Sequence, residues 1–262
     1  MKNKIFTGFL WTSLILAITF LIGPLILLIL QGTNYIVPSL LSEEVIFAIK
    51  LSIKTSIIAT SICLLIAIPT SYAIHKLNKR YKKIIENIIY IPMSLPHLVS
   101  GIALLLLFGR RGIGEFLYQN FNIDFIFTVN GIILAQVFVN LSFAIKTILT
   151  SLEEINPKTV FIARTLGCNE FQAFIHVILP SMRRGIVSST VMTWSRALGE
   201  FGAVMMVAGT TRMKTEILPT AIFLNMSTGD LDLAIGTATI LIIISLICMS
   251  IFNILIKDKE NG

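Results

Sequence analysis

The sequence predicts an all-α integral membrane protein, and three observations carry that prediction. Of its 262 residues 55% are hydrophobic and 13% are charged, with a mean hydropathy of +0.86. An ordinary soluble chain carries roughly 25% charged residues. Six apolar stretches, at about 8–30, 46–74, 84–108, 125–149, 185–208 and 233–256, are each long enough to cross the bilayer. A hydrocarbon core of ~30 Å needs about 20 residues at 1.5 Å rise per residue. The third observation is where the charge falls: most Lys and Arg collect in the connections between the runs. Together these use nearly the whole chain and predict one domain over 1–262.

The first stretch follows Lys2 and Lys4, like a signal peptide, but its apolar run is too long and no small-x-small cleavage site follows it. It is read as a span. Pro24, Pro69, Pro92 and Pro96 fall in or beside spans, where neighbouring helices can satisfy the carbonyls a proline frees. In the third stretch Pro92 and Pro96 bracket Met93, Ser94 and Leu95 and lead to His97 and Gly101, so the helix is expected to break there. In the fifth, Arg196 and Glu200 stand four residues apart. One continuous helix would put them on a shared face as an ion pair. Ionisable residues at that depth generally mark a pathway or a gate. Lys50 and Lys54 sit one turn apart near the start of the second span, where long basic side chains snorkel to the interface. Cys63, Cys168 and Cys248 show no paired or metal-like spacing.

Thirteen Lys and Arg lie in the two termini, the second loop and the fourth loop, against Arg110, Arg111, Arg212 and Lys214 in the other three loops. The positive-inside rule then places both termini and the fourth loop in the cytoplasm. The net charge of +7 is thus spent on topology. It forms no aromatic-interleaved basic face for nucleic acid.

The fourth loop, 150–184, is too long for a mere connection and too polar to insert. It reads as short capped helices. Ser151 with Glu154 has the form of a capping box, and Asn156 before Pro157 that of an N-cap with proline in the first turn. Gly167 is placed to end that helix in a left-handed conformation. Asn169 with Gln172 opens another helix that runs to Pro180, with Phe171, Phe174, Ile175 and Ile178 as its apolar stripe.

Within that loop the run Ala163, Arg164, Thr165, Leu166, Gly167, then Glu170 and Phe171, then Phe174, Val177, Leu179 and Pro180 resembles the EAA loop of ABC importer permeases. The resemblance implies the ABC importer permease fold: six transmembrane helices and a cytoplasmic coupling helix seated in a groove of a separate ATPase. Phe161, Ala163, Arg164, Gly167, Phe171, Phe174 and Pro180 then become the coupling residues. One departure stands out, because Phe161 and Ile162 replace the family's glutamate and first alanine. An apolar knob would take the place of a carboxylate contact.

Residues 195–203, with Arg196, Gly199, Glu200 and Gly202, resemble the fifth-span signature of molybdate and sulfate permeases. Residues 96–101 and 107–112 are similar to molybdate/tungstate permeases, more than to those for sulfate. On that footing Pro92, Pro96, His97, Arg196, Gly199, Glu200 and Gly202 are candidates for the pathway or gate. The family implies a homodimer in the cell membrane, two ATPase subunits and an extracytoplasmic oxyanion-binding protein. No phosphate-binding loop of the G-x-x-x-x-G-K-[ST] form occurs, so no cofactor is expected on this chain, and ATP and Mg belong to the partner. Sulfate or thiosulfate remains open as cargo. An ion-coupled carrier and a membrane enzyme are weaker readings. Only Glu200 is a mid-span acid, no internal repeat is visible, and the three histidines are scattered without an H-E-x-x-H pattern.

Overall fold

The computed structural model describes residues 2–257, with side chains from 6 to 250. The terminal lysines Lys2, Lys4, Lys257 and Lys259, which weigh in the orientation argument, therefore lie outside the described side chains. Every regular element among the described residues is helical. The chain runs α1 (Lys2–Leu41), α2 (Glu43–His75), α3 (Lys79–Ile89), α4 (Ile91–Ser94), α5 (His97–Phe108), α6 (Ile113–Phe121) and α7 (Val129–Glu153). It continues through α8 (Pro157–Thr165), α9 (Glu170–Ala173), a π-helical turn (Phe174–Ile178), α10 (Leu179–Ser181), α11 (Arg183–Leu198), α12 (Gly202–Ala208), α13 (Leu218–Ser227) and α14 (Leu231–Lys257).

Four of these helices, α1, α2, α7 and α14, are long and apolar enough to span a membrane alone, and α5 with α6 forms a pair bent by 55°. The expected third and fifth spans are not continuous helices. The third is divided among α3, α4 and α5, with Leu95 and Pro96 extended between the last two. A residue before proline is pushed out of the helical region, so the break falls where Pro96 requires it. The fifth is divided into α11 and α12 around residues 199–201. An additional short apolar helix, α13, was not anticipated.

Small residues bring the central helices together. α2 buries Cys63, Ala67 and Ser71 against α7, and Ala48 and Ser52 against α13, whose Leu218 amide donates to Ser52 Oγ at 2.7 Å. Ser71 Oγ donates to the Ile145 carbonyl at 3.0 Å, and Cys63 Sγ to the Val137 carbonyl at 3.7 Å. Both bonds join residues the same distance apart in sequence, so α2 and α7 run parallel. Against α7, α11 runs antiparallel. Gln136 reaches Ala197, Asn140 reaches Arg196, and Thr147 pairs with Ser189. α1 packs on α14 through Gly32 and Gly236, where an added Cβ would fall 1.9 Å from Thr239 Oγ1 and 2.1 Å from Ser39 Oγ respectively. Without a hydrophobic drive between helices in lipid, such close approach is what holds them.

Candidate functional site

Two groups of residues stand out, one at the broken helices and one at the 150–184 connection. At the breaks, α5 and α12 start side by side and run parallel. An added Cβ on Gly202 would lie 3.1 Å from His97 Cβ, and one on Gly101 would lie 2.7 Å from Met206 Cβ. Glu200, 2% exposed, sits where both helices begin. Its Oε1 accepts from the Ala203 amide at 3.0 Å, and its Oε2 lies 2.8 Å from His97 Nδ1. The acid therefore satisfies an amide that the start of α12 would otherwise leave bare and ties it to the first residue of α5.

This arrangement corrects the expected Arg196–Glu200 ion pair. α11 ends at Leu198, so the two residues share no helix face. Arg196 Nε instead donates to Asn140 Oδ1 at 3.2 Å, and its guanidinium lies 4.8 Å from the centre of the Phe143 ring. One carbonyl at the end of α11 is met from α7, where Gln136 Nε2 donates to Ala197 at 2.8 Å; the Gly199 and Glu200 amides donate to the Ser195 and Ala197 carbonyls. Gln136 and Asn140 are both buried and one turn apart, and Asn140 Nδ2 also donates to the Gln136 carbonyl at 2.8 Å. The sequence reading missed this pair. Its signal was legible: two amides four apart in an apolar span, aimed at one neighbour. Gly199 caps α11 with little around it, since an added Cβ would meet nothing closer than 3.7 Å. Pro92 lies in the first turn of α4, and Pro96 precedes α5 as its cap.

In the 150–184 connection the expected caps are mostly present. Asn156 Oδ1 accepts from the Lys158 amide at 3.0 Å, with Pro157 in the first turn of α8. Gly167 takes φ +92°; its amide donates to the Arg164 carbonyl and that of Cys168 to the Ala163 carbonyl. That pairing is the Schellman closure. Asn169 and Gln172 bond each other's amides reciprocally, at 2.8 and 2.9 Å. The Ser151–Glu154 capping box is not formed, because α7 continues to Glu153 and places Ser151 within its last turn. There Ser151 faces Gly185 of α11, where a Cβ would fall 1.9 Å from its hydroxyl.

The apolar stripe divides in two. Phe174 and Ile178 join the core of α2 and α7, with the Phe174 and Tyr72 rings 4.6 Å apart. Phe171 points outward and is 72% exposed. Phe161, Ile162 and Leu166 on and after α8 are exposed as well, whereas Ala163 is buried. Arg164 and Pro180 are exposed. Lys76, at the end of α2, pairs with Glu170 and lies 4.7 Å from the Tyr72 ring centre. The segment thus presents an apolar surface outward while Ala163, Ala173 and Ile178 hold its back to the bundle.

Residues 64–258 match the family described as "Binding-protein-dependent transport system inner membrane component". A probable transport system permease protein, NifC of Clostridium pasteurianum, is 35% identical over 243 residues, covering 92% of this chain and 84% of its own. The molybdenum transport system permease protein ModB of Mycobacterium tuberculosis is 33% identical over 199 residues, covering 76% and 75%. The sulfate transport system permease protein CysW of Synechococcus elongatus is 34% identical over 190 residues, covering 72% and 66%. Among solved structures, a bacterial ABC transporter that imports the acidic polysaccharide alginate matches with TM-score 0.81 at 18% identity, covering 98% of this chain and 96% of that one.

Proposed function

Because the chain belongs to the binding-protein-dependent inner membrane component family, we propose that it is the permease subunit of an ATP-driven importer for molybdate or tungstate. The chain is an ABC importer permease component of the membrane and not an enzyme, and ATP hydrolysis belongs to a separate subunit. The observation that carries the cargo is the stated substrate of its relatives. These include molybdenum and sulfate transport permeases, whose cargoes both travel in water as tetrahedral dianions. The similarity of residues 96–101 and 107–112 to molybdate/tungstate permeases favours those ions. CysW and the CysT permease of Escherichia coli, 28% identical over 255 residues, favour sulfate as the second reading.

A bare dianion cannot enter hydrocarbon at any bearable cost, so the passage has to be polar and transient. In this reading an external binding protein selects the ion and delivers it to the face opposite α8. A related transporter has been solved with its ligand-bound periplasmic protein. Two copies of the chain line the passage, with both termini and the 150–184 connection in the cytoplasm. The exposed Phe161, Ile162, Leu166 and Phe171 seat in a groove of the ATPase. Arg164, Gly167 and Pro180 give that segment its shape and rim. Nucleotide-driven movement of the segment passes through the core around Phe174 and Ile178 into α2 and α7. Residues 199–201 and the Pro92–Pro96 break then serve as hinges, and the His97–Glu200 contact holds the two short helices in step. Selectivity resides chiefly in the binding protein.

The test is ATP hydrolysis by the complex reconstituted with its binding protein and offered molybdate, tungstate or sulfate in turn. Stimulation by molybdate or tungstate alone supports the primary reading. Stimulation by sulfate alone moves the cargo to the second, and no stimulation by any of them removes the oxyanion assignment.

A further inference from the structure

A basic ladder runs along one face of the helix bundle, and Lys146 is its central rung. α11 exposes Arg184, Ser188, Met192 and Arg196 at four-residue intervals, which sets the two arginines about 18 Å apart along its axis. The antiparallel register with α7 puts Lys146 level with Thr190, midway between them, because Thr147 meets Ser189 and Asn140 meets Arg196. Lys146 is exposed although it lies within a membrane-length helix. Its ammonium stands 5.6 Å from the Tyr90 ring centre, and among the described residues no carboxylate lies within ion-pair distance of it. Lys146 stands three residues from the end of its apolar run, where a long basic side chain reaches water, and the water beside it can hold an anion.

The space beside it is a cavity of about 710 Å³ between α7, α8 and α11. Lys146 and Arg184 line it together with the hydroxyls of Thr147, Thr150, Ser188 and Ser189, and Glu154 is the one carboxylate on its wall. Phe143, beneath the Arg196 guanidinium, lines its other end. At ~30 Å³ per water the volume holds about twenty waters, enough for a tetrahedral dianion that keeps much of its hydration shell. Hydroxyls and ammonium are the donors such an ion accepts from.

We propose that Arg196, Lys146 and Arg184 form an anion ladder along the inner passage, and that the Lys146 cavity is where the oxyanion rests before release beside α8. The proposal rests on the oxyanion-importer reading above. It adds the residues that would hold the ion once the binding protein has let it go.

The test uses the permease–ATPase complex in phosphatidylcholine nanodiscs without nucleotide or binding protein, and measures binding of radiolabelled molybdate and sulfate at low salt. Uptake is measured in parallel in proteoliposomes with the binding protein. Salt-sensitive binding is expected that weakens about tenfold in Lys146→Gln, the loss of one charge-assisted contact. It is regained in Lys146→Arg and unchanged in Lys50→Gln. Uptake by wild type with equal binding by Lys146→Gln and wild type, or with no binding by either, overturns the ladder and leaves the importer reading standing. Failure of wild type to take up either ion removes the importer reading and the ladder with it. Displacement of the label by phosphatidylglycerol in the nanodisc assigns the site to lipid headgroups and also overturns the proposal.

Discussion

Removing the carboxylate of Glu200 would leave two groups without an acceptor, the His97 imidazole and the Ala203 amide. Glu200→Ala is expected to lose about 1–3 kcal/mol of stability and most uptake. Glu200→Gln keeps an oxygen for the amide and stays closer to wild type, and thermal unfolding with transport measured on the same preparation separates the two. Glu216 presents a different balance. It is fully buried, accepts from the Met213 amide at 3.1 Å through Oε2 and has no partner for Oε1. Burial pushes its carboxyl above the ordinary carboxylate value, the Met213 amide draws it down, and nearby Glu44 pushes it up again. Because the folded value is the higher one, its contribution to stability is present below the ordinary carboxylate range and is lost as pH rises through the raised value. Glu216→Gln should therefore melt higher than wild type at pH 8, and that advantage should shrink under acid conditions.

At the scale of elements, the two short helices α5 and α12 depend on glycine at their contact. Gly101→Val places a branched side chain where a Cβ alone would come within 3.0 Å of the Ala203 backbone. Backbone cannot yield as a flexible side chain does, so the pair must separate. The expected result is a lowered melting temperature and lost transport, with the protein still in the membrane. Gly167 is a conformational case: at φ +92° nothing lies within 4 Å of an added Cβ, so Gly167→Val suffers from strain alone, about 1–2 kcal/mol. It should misplace the Leu166 and Phe171 surfaces relative to each other and uncouple ATP hydrolysis from uptake. Normal uptake would dismiss the coupling role of this turn. The caps of α8 and α9 were legible in the sequence because capping is local chemistry. The fate of Ser151 was not, since whether a helix stops or continues depends on what its next turn packs against, here Gly185.

At the scale of the whole molecule, the apolar surface of Phe161, Ile162, Leu166 and Phe171 is expected to be covered by the ATPase. Phe161→Asp should reduce co-purification of the ATPase with the permease while leaving membrane insertion intact, as measured by recovery of both chains from the same detergent extract. Retention of the ATPase at wild-type ratio would mean that the contact lies elsewhere. α1 raises a related point. Its apolar surface is almost wholly uncovered by the rest of the chain apart from the part near α14, as suits a spanning helix that faces lipid.

By itself the sequence determined that the chain is helical, that it is a membrane protein, where its polar connection lies and how α8 and α9 within it are capped. These follow from hydropathy, proline and glycine, which act over one or two turns and are indifferent to the rest of the fold. It also singled out Glu200, Arg196 and His97, because charge in an apolar run is visible without coordinates. Only the tertiary structure decided their partners. Glu200 meets His97 and not Arg196 because α11 stops at Leu198, where Gln136 of α7 satisfies the Ala197 carbonyl. A helix can end inside a membrane only where a neighbour takes up its free carbonyls, and that neighbour lies 61 residues away in the chain.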